Sequence, residues 1–321
     1  MTGTGTAAVA AQVVVVAGGA PLLTGLMRQV RARMEGRAGA GITQPWRDAR
    51  KLLRKEPITP TGTGPAFRAA PLLLVVTAGV LAALVPLAST TTPVSDGADL
   101  ILVVALLALG TLALALAGLD TGTAFGGMGA SREMTVIALV EPTILLAVFA
   151  QSIPAGSTNL PDIVTEAVHD PARLASPAGA LAAVALAVVV IAETGRLPVD
   201  NPSTHLELTM IHEAMVLEYA GPDLALVELG SQMRLTVLLG LLASLFAPWG
   251  IATDASAAAL ALALALLVVK VAVLGAALAA AEVFWAKLRL FRVPELLAGS
   301  FLLALLAVTV SFFLTGEGTI L

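Results

Sequence analysis

The chain has no cysteine among its 321 residues. That excludes disulfides and any zinc or iron–sulfur centre ligated by cysteine within this chain. If electrons are involved, another subunit carries them. Charge is scarce as well, with Asp, Glu, Lys and Arg at 12% of residues, where soluble domains carry about 25%. Aromatic residues make up 4% and include a single tyrosine. No GxxxxGK[ST] phosphate loop is present, and no Ser/His/Asp arrangement can be specified. His212-Glu213 begins an H-E pair, yet no histidine follows at the H-E-x-x-H position, so no metal site is expected. Nothing implies nucleic acid. No internal repeat appears, which weakens a free-standing antiporter built from two matching halves.

What is abundant is oil. The chain is 58% hydrophobic with a mean hydropathy of +0.93, the composition of an integral membrane protein. A spanning helix needs about 20 mostly apolar residues. Eight candidates fall at 6–27, 69–88, 98–119, 134–153, 176–192, 235–253, 255–281 and 295–315, the fifth being the shortest. Run length and alanine content favour helices over strands. The first stretch lacks a basic n-region and reads as a retained span rather than a cleaved signal. The expectation is all-α: a polytopic membrane helix bundle of one domain, 1–321, with a cytoplasmic-side amphipathic helix at 202–220.

Nine of the eighteen Lys and Arg residues lie in 28–55, so the first loop (28–68) is expected on the cytoplasmic side. Alternation then places 120–133, 193–234 and 282–294 on that side, with Arg132, Arg196, Arg234, Lys287, Arg289 and Arg292. The opposite loops hold only Arg173. Both termini are therefore expected outside, in the cell (plasma) membrane. The basic first loop is a topology signal or a contact with the lipid bilayer's anionic headgroups.

Against this scarcity, 193–228 gathers Glu193, Asp200, Glu207, Glu213, Glu218, Asp223 and Glu228 beside only Arg196. Asn201-Pro202 resembles a helix start, Thr204-x-x-Glu207 a capping box, and Gly221-Pro222 a stop. At about 100° per residue, Glu207 and Glu218 share one face and His205 and His212 the opposite one. A solvated loop that docks a partner is the plain alternative. Interleaved Leu206, Leu208, Met210, Ile211, Met215 and Val216 favour a half-buried helix and a cavity lined by carboxylates, where raised and coupled pKa values let protons hop.

Two charges sit at membrane depth, Glu141 in the fourth span and Lys270 in the seventh. Each costs about 2.5–3.5 kcal/mol at a helix centre on insertion scales. They either pair structurally or mark an ion path, and Glu133 and Glu282, expected at the cytoplasmic ends of spans four and seven, could continue the path.

Four stretches resemble the subunit 1 family of respiratory complex I and the formate hydrogenlyase subunit 4 branch of group 4 [NiFe]-hydrogenases. They are Gly39-x-Gly41-x-x-Gln44-Pro45-x-x-Asp48-x-x-Lys51-Leu52-Leu53-x-Lys55-Glu56, GLDTGTAFGGMGASREMTVIALVEP, Ala192-Glu193-Thr194-x-Arg196-x-Pro198-x-Asp200-x-Pro202, and KLRLFRVPELL at 287–297. HLELTMIHEAMVLEYAGPDLAL is similar to the hydrogenase branch. Ser231 stands where the quinone-reducing branch carries a carboxylate, and Glu228 is the nearest acid.

The resemblance implies a membrane subunit, without an active site of its own, that anchors a cytoplasmic redox arm and couples electron transfer to proton or sodium translocation. Its implied path residues are Glu133, Glu141, Glu193, Asp200, Glu207, Glu218, Glu228, Lys270 and Glu282. Its implied docking or ion-pairing residues are Gln44, Asp48, Lys51, Arg132, Arg196, Arg289 and Arg292. Implied partners are an iron–sulfur small subunit, a hydrogenase-like large subunit (nickel–iron-bearing only where the hydrogenase site is retained), and an antiporter-like membrane subunit. Cofactors are expected in those partners and none in this chain. The alternatives are a quinone-binding subunit 1 of an NADH dehydrogenase, with a quinone tail entering near spans one and six, a free-standing cation/proton antiporter, and a passive anchor.

Overall fold

A computed structural model describes residues 2–200, 210–253 and 256–316. Eleven α-helices occur among them: α1 (Thr2–Met34), α2 (Gln44–Leu52), α3 (Pro65–Leu84), α4 (Leu100–Asp120), α5 (Ala124–Ala155), α6 (Leu160–His169), α7 (Pro177–Glu193), α8 (His212–Val216), α9 (Gly221–Phe246), α10 (Ala257–Phe284) and α11 (Val293–Gly316). Seven of these are long and apolar enough to cross a membrane, and α7 is a shorter apolar helix. In hydrocarbon every backbone N–H and C=O must be satisfied within the protein, and these continuous Leu/Ala/Val runs achieve it inside single helices. Asp99, Thr123, Ser176 and Ser256 cap α4, α5, α7 and α10 by accepting from backbone N–H groups in the first turn.

Helix α9 is the most enclosed span, while α10 and α11 are the least. Helices α1, α3 and α10 pack on α9, α4 packs on α3, and α11 packs on α5 and α7. Moving a leucine from lipid to this interior gains little transfer energy, so close packing and interhelical hydrogen bonds decide the arrangement. Gln12 on α1 is one such bond set: Nε2 donates to Ala82 O (2.6 Å) and Val85 O (2.8 Å), and Oε1 accepts from Ala88 N (2.9 Å). It closes the end of α3, where the last carbonyls lack helical donors.

Two loop faces result. One carries α2, the 194–200 turn, α8 and the 285–292 segment. The other carries α6 and the α3–α4 and α9–α10 connections, tied by Thr90 N to Ala252 O (3.2 Å) and Leu160 N to Ala98 O (3.0 Å).

Several boundaries differ from the sequence reading. The 120–133 stretch is not a loop, because Thr123 caps α5 and the helix runs from Ala124, which puts Arg132 and Glu133 inside it. The 193–234 segment is not all loop, since α8 lies at His212–Val216 and α9 begins at Gly221. Gly221-Pro222 opens α9 instead of ending a helix: Gly221 adopts φ +57, Pro222 occupies the first turn, and Glu228, Ser231 and Arg234 all lie within the helix. Of the helix expected at 202–220, the described part is helical only over His212–Val216. Asn201, Pro202, Thr204, His205 and Glu207 lie outside the described residues. The expected first loop is shorter at both ends, since α1 runs on to Met34 and α3 begins at Pro65.

Candidate functional site

Helix α7 ends at Glu193, and its chain turns at once. Thr194 Oγ1 donates back to Val190 O (2.7 Å), and Gly195 adopts φ +58, a left-handed conformation that favours glycine. Arg196 O then accepts from Val199 N (2.8 Å) and Asp200 N (3.1 Å), delivering the Asp200 carboxylate inward, where it is buried. Asp200 Oδ2 accepts from Ile211 N (3.2 Å) and His212 N (3.1 Å), and Oδ1 lies 3.3 Å from Lys287 Nζ. Arg132 on α5 donates to Met210 O (2.8 Å). Helix α8 reaches α5 because residue 129 is glycine, where a Cβ would sit 2.9 Å from Ile211 O and from Ala214 Cβ.

These contacts enclose a small polar cavity lined by Glu133, Glu193, Gly195, Asp200, Ile211 and His212 among others. Its roughly 10 Å³ is about the least that holds one water. Burial lowers the His212 pKa against the raising pull of Glu213 and Asp200, which favours neutral imidazole.

One step deeper, Arg234 of α9 is ion-paired with Glu193 through its Nη2, and both side chains are buried. Thr111 Oγ1 donates to Glu193 Oε1 (3.1 Å), and Arg234 Nη2 also donates to Leu107 O (2.6 Å). Among the described residues, Glu193 Oε2 and Arg234 Nε are buried without a hydrogen-bond partner. Glu133 lies on one side of this pair, within electrostatic reach of Glu193, Arg234 and Asp200. Glu141, two turns further along α5, also feels the pair, and its Oε1 is buried with no hydrogen bond to the described residues. Asp200, Glu133, Glu193 and Glu141 thus form a trail from the loop edge into the membrane, with Arg234 in its middle.

Other expected site residues fall elsewhere. Glu282 is buried between Arg196 (3.3 Å) and Arg31 (4.0 Å), which ties the 194–200 turn to α10 and α1. Burial lowers the Arg196 pKa, and the Glu282 carboxylate opposes that. Glu228 lies near Arg28, Asp48 and Glu213, and Asp48 accepts from Gln44 Nε2 (2.9 Å). Lys51, Arg289 and Arg292 are exposed, and Glu218 is half-buried away from the cavity. Lys270 does not pair with Glu141. Its Nζ donates to the carbonyls of Ala247 (2.7 Å) and Trp249 and sits 4.3 Å from the Trp249 ring, capping the end of α9. Sequence reasoning does not single out Arg234, Thr111 or Arg31 as site residues. An arginine within 221–246 is a signal that a correct start for α9 exposes, whereas Thr111 carries none.

The fold and the site define a multi-pass membrane protein with a buried acidic trail. The NADH dehydrogenase family model matches residues 7–313, and the chain belongs to that family. It is 38% identical to hydrogenase-4 component C of Escherichia coli (strain K12), over 92% of each chain. It is 34% identical to formate hydrogenlyase subunit 4 of the same organism, over 90% of this chain and 92% of that one. NADH-quinone oxidoreductase subunit 8 of Rhodothermus marinus is 31% identical over 64% of this chain and 61% of its own length. A chain in the structure of the membrane-bound sulfane sulfur reductase, an archaeal respiratory membrane complex, superposes with a TM-score of 0.79 at 19% identity, covering 95% of this chain and 99% of that one; this likeness shows the shared fold.

Proposed function

We propose that this chain is the membrane subunit of a hydrogenase-like oxidoreductase complex and couples a partner's electron transfer to proton movement along Asp200, Glu133, Glu193 and Glu141. The observation that carries the reading is the Glu193–Arg234 pair flanked by two further acids, Glu133 and Glu141. Among the described residues neither flanking acid has an ion pair of its own. Several carboxylates share one arginine, so adding charge next to them changes which one holds a proton. The likeness over nine-tenths of the chain to hydrogenase-4 component C and formate hydrogenlyase subunit 4 supports the hydrogenase-like setting. In that setting the α2 face docks an iron–sulfur small subunit and a hydrogenase-like large subunit, and the bundle adjoins an antiporter-like membrane subunit. The α2 face is cytoplasmic and both termini are outside, since nine basic residues crowd 28–55.

Glu141→Gln and Glu133→Gln in the assembled complex test the reading. Protons moved per electron fall in both, with electron transfer through the partner retained. An unchanged ratio in both overturns the path. Coupling intact after both substitutions, with assembly lost on removing the first loop, would instead support a passive anchor, and ion flux by the purified chain alone in liposomes an antiporter.

A second reading, quinone binding, is favoured by one observation. An apolar groove of about 210 Å³ runs between α1 and α10 beside the entry to α2, lined by Leu22, Leu26, Ile42, Thr236 and Val271 among others. A quinone tail is expected near spans one and six; α1 and Thr236 of α9 line this groove, and its other wall is α10, span seven. Bound quinone on extraction, with NADH-dependent quinone reduction, would establish it over the hydrogenase reading.

A further inference from the structure

We propose that His212 is a proton-relay residue that hands protons across the water-sized cavity between its loop side and Glu133. This rests on the coupling function proposed above and names a residue of that same path. His212 lines the cavity together with Glu133, Glu193 and Asp200, and among the described residues it is the only titratable group there that is not a carboxylate.

The two lower acids are already engaged. Asp200 accepts from two backbone N–H groups and faces Lys287, while Glu193 holds Arg234 and the Thr111 hydroxyl. Turning the Asp200 carboxylate toward a passing proton breaks bonds to fixed donors, and a proton taken up at the unbonded Oε2 of Glu193 removes the charge that pairs with Arg234. An imidazole needs no such breakage: it takes a proton at one ring nitrogen and releases the one on the other, with no net change of charge. Because burial favours the neutral ring, it rests ready to accept.

The way residue 212 is held separates a relay from a scaffold. Asp200 binds the backbone N–H of His212 and of Ile211, and Arg132 binds the carbonyl of Met210. None of these bonds uses the imidazole, so the turn accepts other side chains at 212. Gly195 leaves room opposite, since a Cβ there would stand 3.5 Å from His212 Cβ. The groups that face His212 electrostatically are Asp200 and Glu193 from the α7 turn, Arg234 from α9 and Glu213 from its own helix, with Glu133 of α5 across the cavity.

The test uses the assembled complex in sealed inverted membrane vesicles. Reduced methyl viologen supplies electrons, its oxidation counts them, and a pH-sensitive dye counts protons. His212→Gln keeps the turn and removes the titratable ring. Protons per electron are expected to fall to the level of a protonophore-treated control while viologen oxidation continues. His212→Ala is expected to fall likewise and to recover with added imidazole. A His212→Ala complex that imidazole does not restore overturns the relay in favour of a structural role. A His212→Gln complex at full ratio beside a defective Glu133→Gln complex overturns the relay and leaves the acidic path standing. Full ratios in both overturn the path and the relay together.

Discussion

At the scale of single residues, Arg234 decides how much buried charge the bundle tolerates. Removing one member of a buried pair leaves an uncompensated charge and costs roughly 3–5 kcal/mol, whereas replacing both by apolar groups is often neutral or stabilising. Arg234→Met is therefore expected to lower the thermal unfolding temperature of the purified complex strongly. Arg234→Met with Glu193→Leu is expected to recover most of that loss. Helix α4 adds a steric condition, because a Cβ at Gly110 would stand 3.0 Å from both Arg234 Nη1 and Thr77 Oγ1. The acids of this site are legible in the sequence, since carboxylates stand out where charge is scarce. Their cation is not, because the sequence pattern places Arg234 in a loop.

His212 adds a pH dependence whose sign follows from its burial. The fold lowers its pKa, so the unfolded chain binds that proton more tightly. The resulting stabilisation is complete above the ordinary histidine value, about 6.5, and is lost as pH falls through it towards the lowered native value. Between about pH 7.5 and about pH 5, the wild type should lose more thermal stability than His212→Gln. Equal losses would mean that the ring titrates in the fold as it does in water.

At the scale of elements, the spans are readable and their ends are not. Long Leu/Ala runs identify a membrane helix whatever packs beside it, so among the described residues each of the eight candidate segments falls mainly on one helix, with 85–88 and 247–253 lying past the ends of α3 and α9. The polar ends are ambiguous because Gly-Pro can stop one helix or open the next. At Gly221-Pro222 the helix opens, which moves about four turns of loop into α9. The α5–α8 contact is illegible for another reason, as it depends on a missing side chain at Gly129 and not on a present one. Gly129→Leu is expected to lift α8 off α5 and to break the Arg132–Met210 bond. Hydrogen exchange over 210–216 should then rise well above that of the wild type, while the middle of α5 stays protected. Unchanged protection over 210–216 would show that α8 does not need the close approach.

For the whole molecule, the coupling reading depends on which side of the membrane each loop face occupies, and the lack of cysteine makes that measurable. Any thiol introduced by mutation is the only one in the chain. Asp96 is exposed on the α6 face and Arg54 on the α2 face, and neither takes part in the acidic trail. Asp96→Cys is expected to react with a membrane-impermeant thiol reagent in intact cells. Arg54→Cys should react only after the membrane is opened. The expectation rests on the basic residues of 28–55, and the structure moves two counted arginines, Arg132 and Arg234, from loops into helices. What remains on the α2 face, Arg196, Lys287, Arg289 and Arg292 beside the first loop, still outweighs Arg173 opposite. The reverse labelling pattern would put Asp200 and His212 on the outer side, out of reach of a cytoplasmic redox partner, and the coupling function would fall with it.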